Sequence, residues 1–190
     1  MNYVEVSPET MQTRLARFLE LRPLPSQQEE SIPQEALDIV YARKLLPVIG
    51  IEEGDTPITA NAPIVGAGGI TITLAVCPPN QGPGLHAHKD TFETFTVLQG
   101  QFELRWGTKG EDCVQLGLFD TLSIPPGVAR AFRNISDGEG VLQVVISGGA
   151  HNMQDIHMPL HEAARLFELA PEFSAQLSQA GVTFDQVDDA

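Results

Sequence analysis

At 190 residues the chain is long enough to bury a core as one domain without disulfides or a structural metal. Its 42% hydrophobic and 19% charged content fits a soluble globular protein, and no run approaches the roughly eighteen apolar residues that span a bilayer. The net charge of −14, from 25 acidic and 11 basic side chains, repels a phosphate backbone and argues against nucleic acid as a partner.

Ser7, Pro8 and Glu9 make a helix start, with a capping hydroxyl, a first-turn proline and an acid at the positive dipole end. The pattern predicts a short helix to about Leu19, whose Met11, Leu15, Phe18 and Leu19 share a stripe that should dock downstream. The amino terminus, MNYVEVSPET, lacks a basic then apolar leader, so a cytoplasmic location is expected. Arg22 to Ser31 reads as a loop. Pro33 then opens a second helical pattern in which Ala36, Leu37, Val40, Tyr41 and Leu45 share a face, with Arg43 and Lys44 at its end.

From Gly66 the period changes to alternation, with Ile70, Ile72, Leu74 and Val76 interleaved with Thr71, Thr73, Ala75 and Cys77. Short strand patterns follow at Thr94 to Leu98, Phe102 to Trp106, Val114 to Leu116, Thr121 to Ile124, Ala129 to Arg133 and Val141 to Ser147. Turn residues separate them and no helix intervenes, which argues for an antiparallel sandwich or barrel. Gly66 to Gly69 precedes a strand and lacks GxGxxG spacing, so it reads as a turn. After Gly149 the pattern turns helical again, with Leu160, Ala163, Ala164 and Phe167 on one stripe and a final apolar set of Phe173, Leu177 and Phe184. Three segments result: a helical extension over 1–65, a β barrel over 66–149 and a second helical extension over 150–190.

The segment GLHAHKDTFETFTVLQG concentrates the metal-ligand chemistry. On a strand His86 and His88 face one way, while Glu93 has opposite parity and can join them only if the chain turns around Lys89, Asp90 and Thr91. From Glu93, alternation carries Phe95 and Val97 onto the same inward face. Two histidines and a carboxylate suit one divalent transition metal such as Fe, Mn, Zn or Ni. Trp106, Phe92, Phe95, Phe102 and Phe132 read as core aromatics. Cys77 and Cys113 lack CxxC spacing and read as two buried thiols, with Cys77 lining the barrel if its face is the inner one.

Residue by residue, HAHKDTFETFTVLQG resembles the first motif of the cupin superfamily, and FDTLSIPPGVARAFRN is similar to the second, with Asp120, Pro125, Gly127 and Asn134 in register. The resemblance implies a mainly β fold, a double-stranded β-helix or jelly-roll barrel, with the helical extensions at its ends and pairing as a homodimer. It also implies one metal ion held by His86, His88 and Glu93, in a barrel whose relatives include dioxygenases, isomerases, decarboxylases and non-enzymatic binders. Two positions depart from the motif. Phe119 replaces the glycine before Asp120, and Arg130 stands where a fourth ligand, a histidine, is usual. A guanidinium has no lone pair to offer, so the ligand set stops at three.

Three readings of Arg130 stay open. It could orient an anionic substrate beside a facial triad of oxygenase type, with Phe95 and Phe132 also lining the substrate site. It could pair with Glu93 in a metal-free, ligand-binding or regulatory barrel. Or it could turn outward while His151, His157 or His161 completes the shell, although those three read more simply as surface histidines.

Overall fold

In the computed structural model, residues 3–51, 59–149 and 151–185 are described. The strands are β1 (Lys44–Gly50), β2 (Ile64–Val65), β3 (Ile70–Cys77), β4 (Ala87–His88), β5 (Phe92–Gln99), β6 (Phe102–Trp106), β7 (Asp112–Leu116), β8 (Thr121–Ile124), β9 (Arg130–Asn134), β10 (Gly140–Ser147), β11 (Ile156–Pro159) and β12 (Thr183–Asp185). The helices are α1 (Pro8–Gln12), α2 (Gln34–Val40), α3 (Leu160–Leu169) and α4 (Pro171–Ala180).

One sheet runs β2-β1-β3-β10-β5-β8, and β7-β6-β9 forms its partner across the barrel. Between them lies a core of Phe95, Val97, Phe102, Leu104, Phe132 and Leu142 with their neighbours. Phe132 stands at its centre, edge-on to Phe95 at 5.5 Å and to Phe102 at 6.2 Å between ring centroids, a geometry that suits aromatic quadrupoles. The inward side of β3 is the Thr71, Thr73, Ala75 and Cys77 side, and the isoleucines Ile70 and Ile72 are only half-buried. Small side chains on that wall leave unfilled space beside it. Cys77 is buried, and burial pushes its thiol up to about 12; Cys113 is exposed, against the expectation of two buried thiols. Phe92 is exposed as well and leaves the set of core aromatics.

The extensions differ most from expectation. α1 ends at Gln12, and Met11, Leu15, Phe18 and Leu19 lie exposed, Leu19 to 89%, so the stripe docks on nothing within the described residues. The helix expected to reach Leu45 stops at Val40. The chain continues as β1, antiparallel to β3 from Lys44↔Val76 to Ile49↔Ile72. Pro47 is tolerated because β2 pairs only with Ile49 and Gly50, so the proline sits where β1 is an open edge on that side.

Across the gap from the barrel, the two extensions share a core in which Leu24, Leu37 and Tyr41 meet Leu166, Phe173 and Leu177. The C-terminal part also contributes strands: β11 pairs with β4 on one side and β12 on the other. Among the described residues no helix is long and apolar enough to cross a membrane.

At the turn before β8, Phe119 adopts φ of 67° and is 71% exposed. The turn is held by Asp120, whose carboxylate accepts from Gly117 N at 2.9 Å, and by Phe119 N donating to Val97 O at 2.8 Å. A left-handed conformation is costly for a residue with a Cβ, so Phe119→Gly should raise stability by about 0.5–1 kcal/mol after its own entropy cost is subtracted. A denaturant melt of the variant checks this.

Candidate metal centre

A two-residue bridge locks the site together. His86 N donates to Arg130 O at 3.0 Å and Arg130 N to His86 O at 2.8 Å, which sets the first histidine opposite the start of β9. Gly127 N donates to His88 O at 2.7 Å and ties the Pro125 to Gly127 turn to β4. Between β4 and β5 the chain turns at Lys89 to Thr91, so Glu93 changes face as its parity required. Glu93, Phe95 and Val97 all point inward.

The three donors converge: His86, His88 and Glu93 each offer a ligand atom within 4.8 Å of the others. Both imidazole Nε2 atoms lie 3.8 Å from Glu93 Oε2. Each ring is oriented through its other nitrogen. His86 Nδ1 faces Gly84 O at 3.0 Å, and His88 Nδ1 faces Asp155 Oδ2 at 2.9 Å. Those partners are acceptors, so each Nδ1 carries the proton and each Nε2 lone pair points toward Glu93. No hydrogen bond to either Nε2 is found among the described residues. Two imidazole lone pairs facing one carboxylate oxygen are an arrangement that a cation can complete, although Arg130 also donates to that oxygen.

Arg130 does not turn outward. It is wholly buried, and its Nε donates to Glu93 Oε2 at 2.7 Å while Nη1 reaches Val128 O at 3.2 Å. Nη2 is buried with no hydrogen-bond partner among the described residues. Burial alone would raise the Glu93 carboxyl, but the Arg130 guanidinium, with His88 and His86, overrides it and holds the group far below the usual carboxylate range. His88 is pushed down chiefly by burial, against the pull of Glu93 and Asp155, which keeps its imidazole neutral. The described residues therefore offer three ligands and one guanidinium on the carboxylate. They fit a three-ligand metal site with the fourth position left to a non-protein ligand.

None of His151, His157 and His161 joins the group. His157 Nδ1 meets Asp185 Oδ2 at 2.9 Å, and His161 is exposed beside Glu162. His151, read as a surface histidine, instead lines a small hollow with His88 and Asp155, and both its ring nitrogens are buried with no hydrogen-bond partner among the described residues.

Asp155 went unseen in the sequence, being a lone acid 67 residues from His88. It also accepts from Thr91 Oγ1 at 2.5 Å and Asp90 N at 2.5 Å, so one carboxylate from the C-terminal extension fixes both the ring and the turn that reorients Glu93. Against the effect of burial, these hydrogen bonds bring Asp155 down to about 2. Asp155→Ala should weaken metal binding by about 10–100-fold, as removal of a histidine's orienting partner does elsewhere. The stability that Asp155 supplies is present above its unfolded value near 3.9 and fades as the pH falls toward 2. The stability gap between wild type and Asp155→Ala should therefore narrow between pH 6 and pH 3 in paired denaturant melts.

A largely apolar cavity, open to solvent on one side, lies against the three donors. Its walls include Thr73, Phe132, Val144 and Ile146 from the barrel. Its roof comes from the extensions, with Val40, Tyr41, Met153, Ile156, Met158 and Val182. Of the residues expected to contact substrate, Phe132 lines the cavity, whereas Phe95 and Arg130 stand behind the wall. The apolar roof was missed because its residues are scattered through segments that read as packing surface.

The two facing sheets bring two oriented imidazoles and a carboxylate to one end of an apolar cavity. Residues 73–147, from β3 to β10, match the family described as Cupin domain. No curated protein matches the sequence. Among solved structures, a Bacillus halodurans protein is 16% identical, with a TM-score of 0.43 over 46% of this chain and 69% of that one. A protein described as a predicted oxalate decarboxylase from Thermotoga maritima is 20% identical, with a TM-score of 0.39 over 42% of this chain and 66% of the other. KdgF from a Halomonas species is 13% identical, with a TM-score of 0.40 over 45% and 74%.

Proposed function

We propose that this cupin holds one divalent transition metal, Fe, Mn, Zn or Ni, on His86, His88 and Glu93 and acts on a small molecule seated in the barrel cavity. The observation that carries the reading is the pair of Nδ1 contacts that turn both Nε2 lone pairs toward Glu93. Bound there, such an ion supplies Lewis acidity and, if redox-active, electron transfer with dioxygen, so the finer expectation is an oxygenase-type enzyme. His86 and His88 hold the ion, Asp155 and Gly84 orient them, and Arg130 keeps Glu93 ionised. The roof excludes water from the reacting end. Metal analysis of protein purified without chelator should find a divalent ion that His86→Ala loses. Protein that arrives empty and also fails to take up Fe(II), Mn(II) or Zn(II) refutes the reading.

One contact favours a second reading, a metal-free binding or regulatory barrel: the 2.7 Å pair of Arg130 and Glu93 puts a positive charge on the carboxylate without any ion. It gives no reason for both Nε2 atoms to face Glu93 Oε2 at 3.8 Å, which is why the metal reading ranks first. We also infer a cytoplasmic homodimer. The exposed Met11, Leu15, Phe18 and Leu19 support pairing, and a monomeric mass in light scattering would exclude it.

A further inference from the structure

The cavity's lining separates into two unequal parts. Most of it is aliphatic or aromatic, including the whole roof, where Met153, Ile156, Met158 and Val182 close over the space. Among the described residues that line it, the ionisable groups are His86, His88, Glu93 and Tyr41, and no lysine or arginine is present. Tyr41 is raised to about 12 by burial, opposed by a hydrogen bond with Ser26 on the side of the extensions, and so stays neutral. A ligand with several charges has nothing to meet over most of this surface, and would forfeit its hydration there.

The reacting end has the opposite bias. Glu93 is the one carboxylate at the cavity, and Arg130 already neutralises it through the Nε contact. A divalent ion on the three donors therefore keeps both of its charges uncompensated by the protein. Excess positive charge calls for an anionic group, and beside a largely apolar lining that demand is stronger than in water.

We propose that the natural ligand is an amphiphile with one anionic oxygen head, a carboxylate or an equivalent enolate or phenolate, on an apolar body, the head meeting the metal end and the body lying under the roof. The proposal rests on the metal-binding reading above and narrows it: replacing a histidine by Arg130 exchanges a fourth ligand for a preference in charge.

Three probes separate the parts: 1-naphthoate carries head and body, 1-naphthalenemethanol the body alone, and acetate the head alone. Titrated by calorimetry into the Zn(II)-loaded full chain, 1-naphthoate should bind about tenfold or more tighter than either partial probe. Removal of zinc should bring naphthoate down to the level of the alcohol. Val182→Trp, or Val40→Trp should the first fail to fold, should weaken naphthoate while zinc uptake is retained. If the zinc-loaded protein binds the alcohol or acetate as tightly as naphthoate, the ligand class is overturned and the metal reading stands. If naphthoate affinity is unchanged in both tryptophan variants, the molecule lies elsewhere and the proposal falls. If no zinc is taken up, the metal reading fails and the anionic head goes with it.

Discussion

Glu93→Ala should lower the stability of the metal-free protein by about 3–5 kcal/mol, the usual cost of removing one partner from a buried ion pair. Glu93 is 6% exposed and Arg130 is wholly buried, so neither water nor another described carboxylate can take over the guanidinium. Arg130 Nη2 already lacks an acceptor, and the substitution would strip Nε of its own. The loss should appear as an earlier midpoint in urea with an unchanged slope. The double variant Glu93→Leu, Arg130→Met should lose much less than the sum of the two single changes, because it removes both charges together. An unchanged midpoint in Glu93→Ala would mean that the pair contributes nothing and that Arg130 is solvated in solution.

Arg130→His should have the opposite effect on metal. It replaces a group that can only donate with one that has a lone pair, at the position where the family's fourth ligand is usual. It also removes a fixed positive charge from the neighbourhood of a dication. Near a protein surface two unit charges 4 Å apart interact by about 4 kcal/mol, and each 1.4 kcal/mol is tenfold in affinity. Zinc or manganese should therefore bind at least about tenfold tighter than in wild type. Without metal the variant should be less stable, since Glu93 loses its partner, and the metal-dependent rise in Tm should exceed that of wild type. Both quantities come from thermal melts at several metal concentrations. Equal metal affinity in the two proteins would show that the position near the start of β9 does not reach the ion.

Much of the barrel could be read from local pattern. Strand alternation from Ile70 to Ser147 and the spacing of His86, His88, Glu93 and Gly100 are properties of adjacent residues, and the folded strands follow them closely. The parity argument for Glu93 also succeeded, because a face change requires a turn and Lys89 to Thr91 was the only place for one. Where strands formed against expectation, the cause is non-local. Lys44–Gly50 became β1 because β3 offered an open edge, which overrode an apolar spacing that read as the end of a helix. Ile156–Pro159 became β11 by pairing with β4, a contact no window around those residues contains. The chemistry of Arg130 was clear from its side chain, since it cannot ligate a metal. Its direction was not, because that depends on where β9 starts relative to His86. The exposed Met11 to Leu19 stripe had the period of a docking surface, but period alone does not supply a partner.

The bond from Asp155 to His88 joins the roof of the cavity to its floor, since Asp155 enters directly before β11. Two equilibria are thereby linked: closure of the C-terminal segment over the barrel, and occupation of the donor set. Linkage is reciprocal, so the factor by which closure strengthens the hold on an ion equals the factor by which the ion favours closure. Amide exchange in Ile156–Pro159, far along the chain from either histidine, should slow when metal is added, and that protection would report occupancy from the roof alone.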